Sequence, residues 1–286
     1  MCIDLHLHSH YSDGTLSPAG LVNEASRSNL LGIALTDHDT VEGVEKLFNA
    51  AGQAGIRAIS GLEVSSFHRK YSLHILGYGL DHHSTSLNAK LKHLQEEREK
   101  RNERIITKLQ ELGLDIHCEE LKSFSKCGQT GRPHIAGLLT KKGIVASPDE
   151  AFRLYLRREA PAWSDRFMYS AEECIAMIHR AGGVAVLAHP GQITPRPASI
   201  SDLLKQLVQL EIDGIEVFYP GYSREVRKSL KNLADRHKLV ITGGSDYHGD
   251  NKPNRRMAGN KQQFCPPAKL LGPLLEKINM LQHYQP

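Results

Sequence analysis

The chain opens with MCIDLHLHSHYSDGT, residues 1–15. Apolar Ile3, Leu5 and Leu7 alternate with Asp4, His6 and His8, the period-two pattern of a strand. Strand side chains point to alternate faces, so His6 and His8 share one face. A polar turn follows at once and carries His10 and Asp13. A strand that ends in paired imidazoles followed by a carboxylate points to ligand chemistry rather than to packing.

Working outward, the same arrangement recurs. The apolar runs LGIALT, IRAISGLEV, SLHILGYG, VAVLAH, GIEVFY and LVITGG read as further strands. Helical patterns separate most of them: SPAGLVNEASRSN, with Ser17 as N-cap and Pro18 in the first turn, VEGVEKLFNAAGQ ending near Gly55, AEECIAMIHRAG, ISDLLKQLVQL and REVRKSLKNLADRH. Seven nearly continuous apolar strands joined mainly by helices predict an α/β fold, a parallel sheet covered by helices and closed or nearly closed into a barrel. An open doubly wound sheet is the alternative. Neither a dinucleotide-binding glycine fingerprint nor a phosphate-cradling P-loop is present. The alternation breaks in the middle of the chain. Residues 1–80 read as the first part of the barrel, 81–165 as a mostly helical insertion, and 166–286 as the second part.

Bulk composition is ordinary for a globular protein, with 40% hydrophobic and 24% charged residues among 286. No apolar run reaches membrane-spanning length and no secretory signal pattern is visible, so no membrane association is expected. The cysteines, Cys2, Cys118, Cys127, Cys174 and Cys265, are scattered and never spaced C-x-x-C. That spacing argues against a disulfide framework or a thiolate zinc site and favours a reducing, cytoplasmic setting. The net charge of +4 is too mild to demand a nucleic acid but suits an anionic, phosphorylated substrate.

Of the 16 histidines, placement matters more than number. His6 and His8 end the first strand, His38 lies in TDHD after the second, Glu63 ends the third, and His74 lies in the fourth. His189 follows the fifth, and Asp246 and His248 follow the seventh in GGSDYHG. In βα barrels the C-terminal strand ends form one mouth, which carries the active site. Nitrogen and oxygen ligands without thiolate suit manganese, zinc or iron, and the supply is enough for two or three ions with Glu63 bridging. A lone histidine is ordinarily exposed or satisfied in a core, which is the reading for His82, His83, His93, His117, His179, His237 and His283. His10 reads as exposed or as a support. Asp37 and Asp39 either orient His38 or cap the next helix.

The segments DLHLHS, SDGT, TDHD, GLEVS, HILG, AHPG and GSDYHG together resemble the PHP (polymerase and histidinol phosphatase) family of metal-dependent phosphoesterases. The resemblance implies a distorted (β/α)7 barrel with up to three divalent ions, manganese first and zinc or iron as alternatives. Carried over by position, His6, His8, Glu63 and Asp246 would hold the first ion. Glu63, His74 and His189 would hold the second, and Asp13, His38 and His248 the third. REKRNERI and TGRPHIAGLL resemble the bacterial branch of nucleoside 3′,5′-bisphosphate phosphatases and a 5′-to-3′ exoribonuclease, which implies Arg101, Asn102, Arg104, Arg132 and His134 near the substrate. Pro133, between Arg132 and His134, departs from the branch and puts the local backbone in question. QEEREKRNER reads equally well as a solvated, salt-bridged helix face.

The expected reaction is removal of the 3′-phosphate from a nucleoside 3′,5′-bisphosphate, such as adenosine 3′,5′-bisphosphate to AMP, by a metal-activated hydroxide held at Glu63. Asp13, His38 and His248, through their ion, would hold phosphate oxygens. Arg132 would supply fixed charge, His134 would protonate the leaving oxygen, and Arg101 and Arg104 would hold a second phosphate. Trimming of short RNA from a 5′-phosphorylated end is the nearest alternative. A histidinol-phosphatase-like small-molecule phosphatase and a non-catalytic nucleic-acid-binding module stand further off. The expected partner is therefore a phosphorylated nucleotide or an RNA 5′ end, with no obligate protein partner evident.

Overall fold

In the computed structural model, residues 1–124, 129–193, 197–259 and 264–283 are described. The histidine-bearing run forms β1 (Cys2–Leu7) and is followed by α1 (Pro18–Arg27). The Ser17 hydroxyl accepts a hydrogen bond from the Gly20 amide and Pro18 sits in the first turn, where its missing N–H costs nothing. Next come β2 (Leu30–Leu35), α2 (Val44–Ala54), β3 (Arg57–His68) and β4 (Tyr71–Tyr78). α2 ends on Gly55, whose φ of 67° is the left-handed conformation that glycine adopts without strain.

β1, β2 and β3 are parallel, as are β6 (Val184–Leu187), β7 (Gly214–Phe218) and β8 (Val240–Gly243). β4 departs from the parallel expectation. It pairs antiparallel with both β3 and β6, because only the two residues Arg69 and Lys70 separate it from β3 and the chain folds back as a hairpin. The sheet order is β1-β2-β3-β4-β6-β7-β8. It closes where Leu7 bridges Tyr247, where the His8 amide donates to Tyr247 O (3.0 Å) and the Asp246 amide to His6 O (2.9 Å). A strand of only two residues, β5 (Tyr169–Ser170), extends the outer end of β3.

The barrel core gathers Leu5, Leu62, Ile75, Val186 and Ile215 from five strands with Ile178 of α7 (Ala171–Arg180) and Leu204 of α9 (Pro197–Gln209). α3 (Thr85–Glu111) takes part in two cores. Leu87, Leu91 and Leu94 join the barrel core, whereas Ile105, Ile106 and Leu109 join a second cluster. That cluster is completed by Leu121 of α4 (Cys118–Phe124), Ile135 and Leu139 of α5 (Arg132–Lys141) and Leu156 of a π-turn, Phe152–Leu156. Among the described residues, no helix is long and apolar enough to cross a membrane.

The cysteine reading is overturned at one pair: Cys2 and Cys265 form a disulfide, with Cα atoms 5.1 Å apart. They are 263 residues apart in sequence, so spacing could not reveal them. Barrel closure brings them together, because the Ile3 amide donates to Pro266 O (3.0 Å) ahead of α11 (Leu271–His283). The cysteine argument for a reducing compartment falls with that bond. Cys118 and Cys174 are free, and Cys127 lies outside the described residues.

Closure is tightest at Gly244, where any Cβ would overlap the backbone nitrogen and Cβ of His6. Gly244→Ala is therefore expected to lower the stability of the metal-free protein by about 1–3 kcal/mol, measured by urea unfolding. An unchanged midpoint would mean that β1 and β8 can separate freely.

Candidate metal centre

The side chains at the mouth converge on one buried carboxylate. Glu63, wholly inaccessible in the middle of β3, faces His74 Nδ1 (2.8 Å) and His189 Nε2 (2.9 Å) through Oε1. Its Oε2 faces His6 Nε2 (3.3 Å), His8 Nε2 (3.3 Å) and His38 Nδ1 (3.1 Å). Asp246 Oδ1 completes the His6–His8 group at 3.7 and 3.4 Å. Beyond it, Asp13 Oδ1 lies 3.2 Å from His248 Nε2, and Asp13 Oδ2 lies 3.9 Å from His38 Nε2. The fold thus brings together all nine residues expected as ligands. His74 reaches the mouth from the antiparallel strand rather than from a parallel strand end.

Several of these atoms are buried and have no hydrogen-bond partner among the described residues: His6 Nε2, both ring nitrogens of His8, His38 Nδ1, Glu63 Oε2 and His248 Nε2. Buried polar atoms are ordinarily satisfied, and a cluster of such orphans among carboxylates fits cations. The donor set, imidazole nitrogen and carboxylate oxygen without sulfur, fits divalent ions. Four groups have donor atoms close enough to share an ion: His6 with His8 and Asp246; His6 with Glu63 and His189; His38 with Glu63 and His74; and His8 with Asp13, His38 and His248.

Electrostatics agree. Burial disfavours the Glu63 carboxylate, but His38, His74 and His6 outweigh it and hold its pKa well below the ordinary value. Burial likewise opposes a charge on His8, yet Asp246 and Glu63 push its pKa up to about 9. A proton on His8 and a metal there exclude one another.

A residue missed in the sequence reading organises the set. Glu216, fully buried in β7, accepts from His6 Nδ1 (3.0 Å) through Oε1 and from the His189 amide (2.8 Å) through Oε2. This fixes the proton of neutral His6 on Nδ1 and turns Nε2 toward the centre. The signal was a charged residue inside the run GIEVF, masked by its apolar neighbours. Tyr219 donates to Asp246 Oδ2 (2.8 Å) and Lys252 approaches the same oxygen at 3.1 Å. Asp37 ties down the turn after β1 by accepting from the Ser9 amide and from the Ser9 and Ser12 hydroxyls. Asp39 accepts from the Ser65 amide and pairs with Arg98 and Arg166. Neither carboxylate bonds the His38 ring or caps α2, whose N-cap is Gly43. His10 lies outside the cluster, its ring against Tyr11.

The insertion brings arginines to the mouth. Arg98, Arg101 and Asn102 lie on one face of α3, whereas Glu97 and Lys100 pair on its solvated side. A cleft of about 300 Å³ runs outward from His74 and is lined by Arg101, Arg132 and Arg166. Arg101 is only 3% exposed and its Nε has no partner among the described residues; burial, then Arg98, Arg166 and Arg132, bring its pKa down to about 8. Arg132 stacks on Trp163, 4.6 Å from the ring centroid. Arg104 is exposed beside the cleft and bonds Ser164 Oγ (3.0 Å) and Asp165 O (2.9 Å) rather than lining it. Asn102 donates to Thr130 O (3.1 Å) and holds the segment that leads into α5. Pro133 fits the first turn of α5, which answers the question over the local backbone. His134 and Pro133 line a small hollow with Asp13, His38 and Arg98. Arg98 and Arg166 carry no local mark of this role, because their half-buried positions beside Asp39 depend on how the insertion packs on the barrel.

Two outcomes follow. Glu216→Gln is expected to weaken metal affinity about 10- to 100-fold, read by dialysis against a competing chelator. Adding manganese to the metal-free protein in weak buffer at pH 7 is expected to release protons, since His8 holds one there; a constant pH would contradict the ligand set.

Comparison with known proteins agrees with this geometry. Residues 4–214 match the PHP domain family. A 5′-3′ exoribonuclease of Haemophilus influenzae is 32% identical over 245 residues, which cover 86% of this chain and 89% of that one. A 3′,5′-nucleoside bisphosphate phosphatase of Chromobacterium violaceum is 32% identical over 255 residues, covering 88% and 89%. A crystal structure from Bifidobacterium adolescentis, assigned as a metal-dependent phosphoesterase, superposes with a TM-score of 0.86 at 28% identity over 96% of both chains. This chain belongs to the PHP domain family and is a metal-dependent phosphoesterase, an enzyme that hydrolyses phosphoric esters.

Proposed function

We propose that the enzyme removes the 3′-phosphate from nucleoside 3′,5′-bisphosphates. The observation that carries this reading is Arg101, a buried guanidinium with no carboxylate partner among the described residues, beside Arg132 and Arg166 in a cleft that begins at His74. Uncompensated buried charge is unfavourable, so such a cluster calls for a fixed anion. With the scissile phosphate at the metal centre, that anion is the second phosphate of the same molecule. The likeness to the C. violaceum phosphatase supports the reading.

Divalent ions, with manganese as the proposed identity, would be held by His6, His8, Asp13, His38, Glu63, His74, His189, Asp246 and His248, and would supply Lewis acidity and a nucleophile at neutral pH. The chain's own residues do the rest. Arg132, its plane set by stacking on Trp163, presents a fork suited to two phosphate oxygens. His134 Nδ1 accepts from the Gly131 amide (3.1 Å), so a neutral ring carries its proton on Nε2. Burial lowers the His134 pKa and keeps the ring neutral, a hydrogen-bond donor to the leaving oxygen. Pro133 shapes that hollow, and Asn102 and Arg104 hold the segments that carry Arg132 and Ser164.

A second reading, exonucleolytic trimming of 5′-phosphorylated RNA, is favoured by the outer end of the same cleft. Arg69, Lys70 and Arg158 line it, more cations than a bisphosphate needs. The likeness to the H. influenzae exoribonuclease points the same way.

The test compares adenosine 3′,5′-bisphosphate, adenosine 3′-monophosphate and a 5′-phosphorylated oligoribonucleotide. Arg101→Ala should lower kcat/KM for the bisphosphate by about 10- to 100-fold, the scale of a charged hydrogen bond, and leave the 3′-monophosphate nearly unchanged. Arg132→Ala should slow phosphate release from both mononucleotides. Turnover of the oligoribonucleotide alone would replace the first reading with the second.

A further inference from the structure

We propose that Glu45, His82 and His83 form a second metal site on the outer surface of the barrel, separate from the mouth, that takes one zinc ion. Glu45 lies in the first turn of α2, and the two histidines lie in the link between β4 and α3. His82 Nε2 is 3.1 Å and His83 Nε2 is 3.9 Å from the same oxygen, Glu45 Oε2. The two imidazoles lie against each other with centroids 4.0 Å apart, and a donor atom from each of the three residues falls within 4.8 Å of the other two.

A single hydrogen bond from His82 to Glu45 would account for that pair. It leaves unexplained why His83, 72% exposed and free to point into water, turns its ring nitrogen toward the same oxygen. Two imidazole nitrogens and one carboxylate oxygen aimed at a common point, with solvent on the open side, are the ligands of a zinc ion completed by water.

The supports that ligands need are also present. The His83 amide donates to Asp81 Oδ1 (2.9 Å), and Asn88 Nδ2 donates to His82 O (2.9 Å), so the backbone carrying both histidines is held before any ion arrives. The His82 ring rests near Phe48, 5.7 Å between centroids, which limits its rotation. An ion there ties α2 to the start of α3, the helix that carries Arg98 and Arg101 to the mouth. It is structural, remote from the reaction and independent of which phosphate ester the enzyme takes.

The experiment equilibrates the full chain and its His82→Ala/His83→Ala form with the same buffered free zinc, then counts bound zinc by elemental analysis. The mouth is unaltered in both, so its ions cancel in the difference. One zinc per chain fewer in the double variant is expected, along with a zinc-induced rise in the thermal midpoint that is smaller than in the unaltered chain. Asn88→Ala alters no ligating atom but removes the bond to His82 O, and is expected to weaken zinc binding at this site about 10- to 100-fold. Equal zinc contents in the unaltered chain and the double variant overturn the proposal.

Discussion

One buried carboxylate surrounded by imidazoles is the constraint on which the rest depends. Glu63 is inaccessible to water, yet both its oxygens face ring nitrogens from four other segments of the chain: His6 and His8, His38, His74, and His189. Removing a carboxylate from water is costly unless positive charge replaces the solvent, and neutral imidazoles only partly do so. Nitrogen lone pairs aimed inward need cations too. The barrel is therefore a device for holding ligands that stay frustrated until ions arrive. Metal binding and stability must be linked, since the same contacts serve both.

That demand is visible in the backbone. His189 and Asp246 have positive φ, 26° and 56°, which non-glycine residues rarely adopt. They lie two and three residues past the ends of β6 and β8, where the chain must turn its side chain back over the mouth. The strain is held by partners on the neighbouring strands: Glu216 of β7 accepts from the His189 amide, and the Asp246 amide donates to His6 O of β1. Glu216 also orients His6, so one buried carboxylate outside the ligand set positions two members of it.

α3 couples the barrel to the insertion. Its first half packs on the barrel core and its second half on the smaller one, so the stretch between them crosses the mouth. Arg98 and Arg101 occupy that stretch. Arg98 is held by Asp39, which also takes Arg166, and Asp39 in turn receives the Ser65 amide two residues beyond Glu63. Arg101 has no such carboxylate among the described residues. The contrast separates an arginine tied to the barrel by a carboxylate from one whose buried charge is left uncompensated.

Much of this could be read from the residues alone. Apolar runs ending in histidine or carboxylate are local patterns, and a strand's two-residue period places His6 with His8 whatever its neighbours are. The helix start at Ser17–Pro18 is local as well, because capping and proline geometry act within one turn. What only the tertiary structure decided involves partners far apart in the chain. These are the reversal of β4, the closure of β8 on β1, the Cys2–Cys265 bond, the hold of Glu216 on His6, and the placement of Arg98, Arg101 and Arg166 beside the mouth. In each case the same residue types would be equally at home on a surface or in an unpaired strand. Their roles come from which edges and faces meet, and that is settled by the burial and pairing of the whole chain rather than by any short stretch of it.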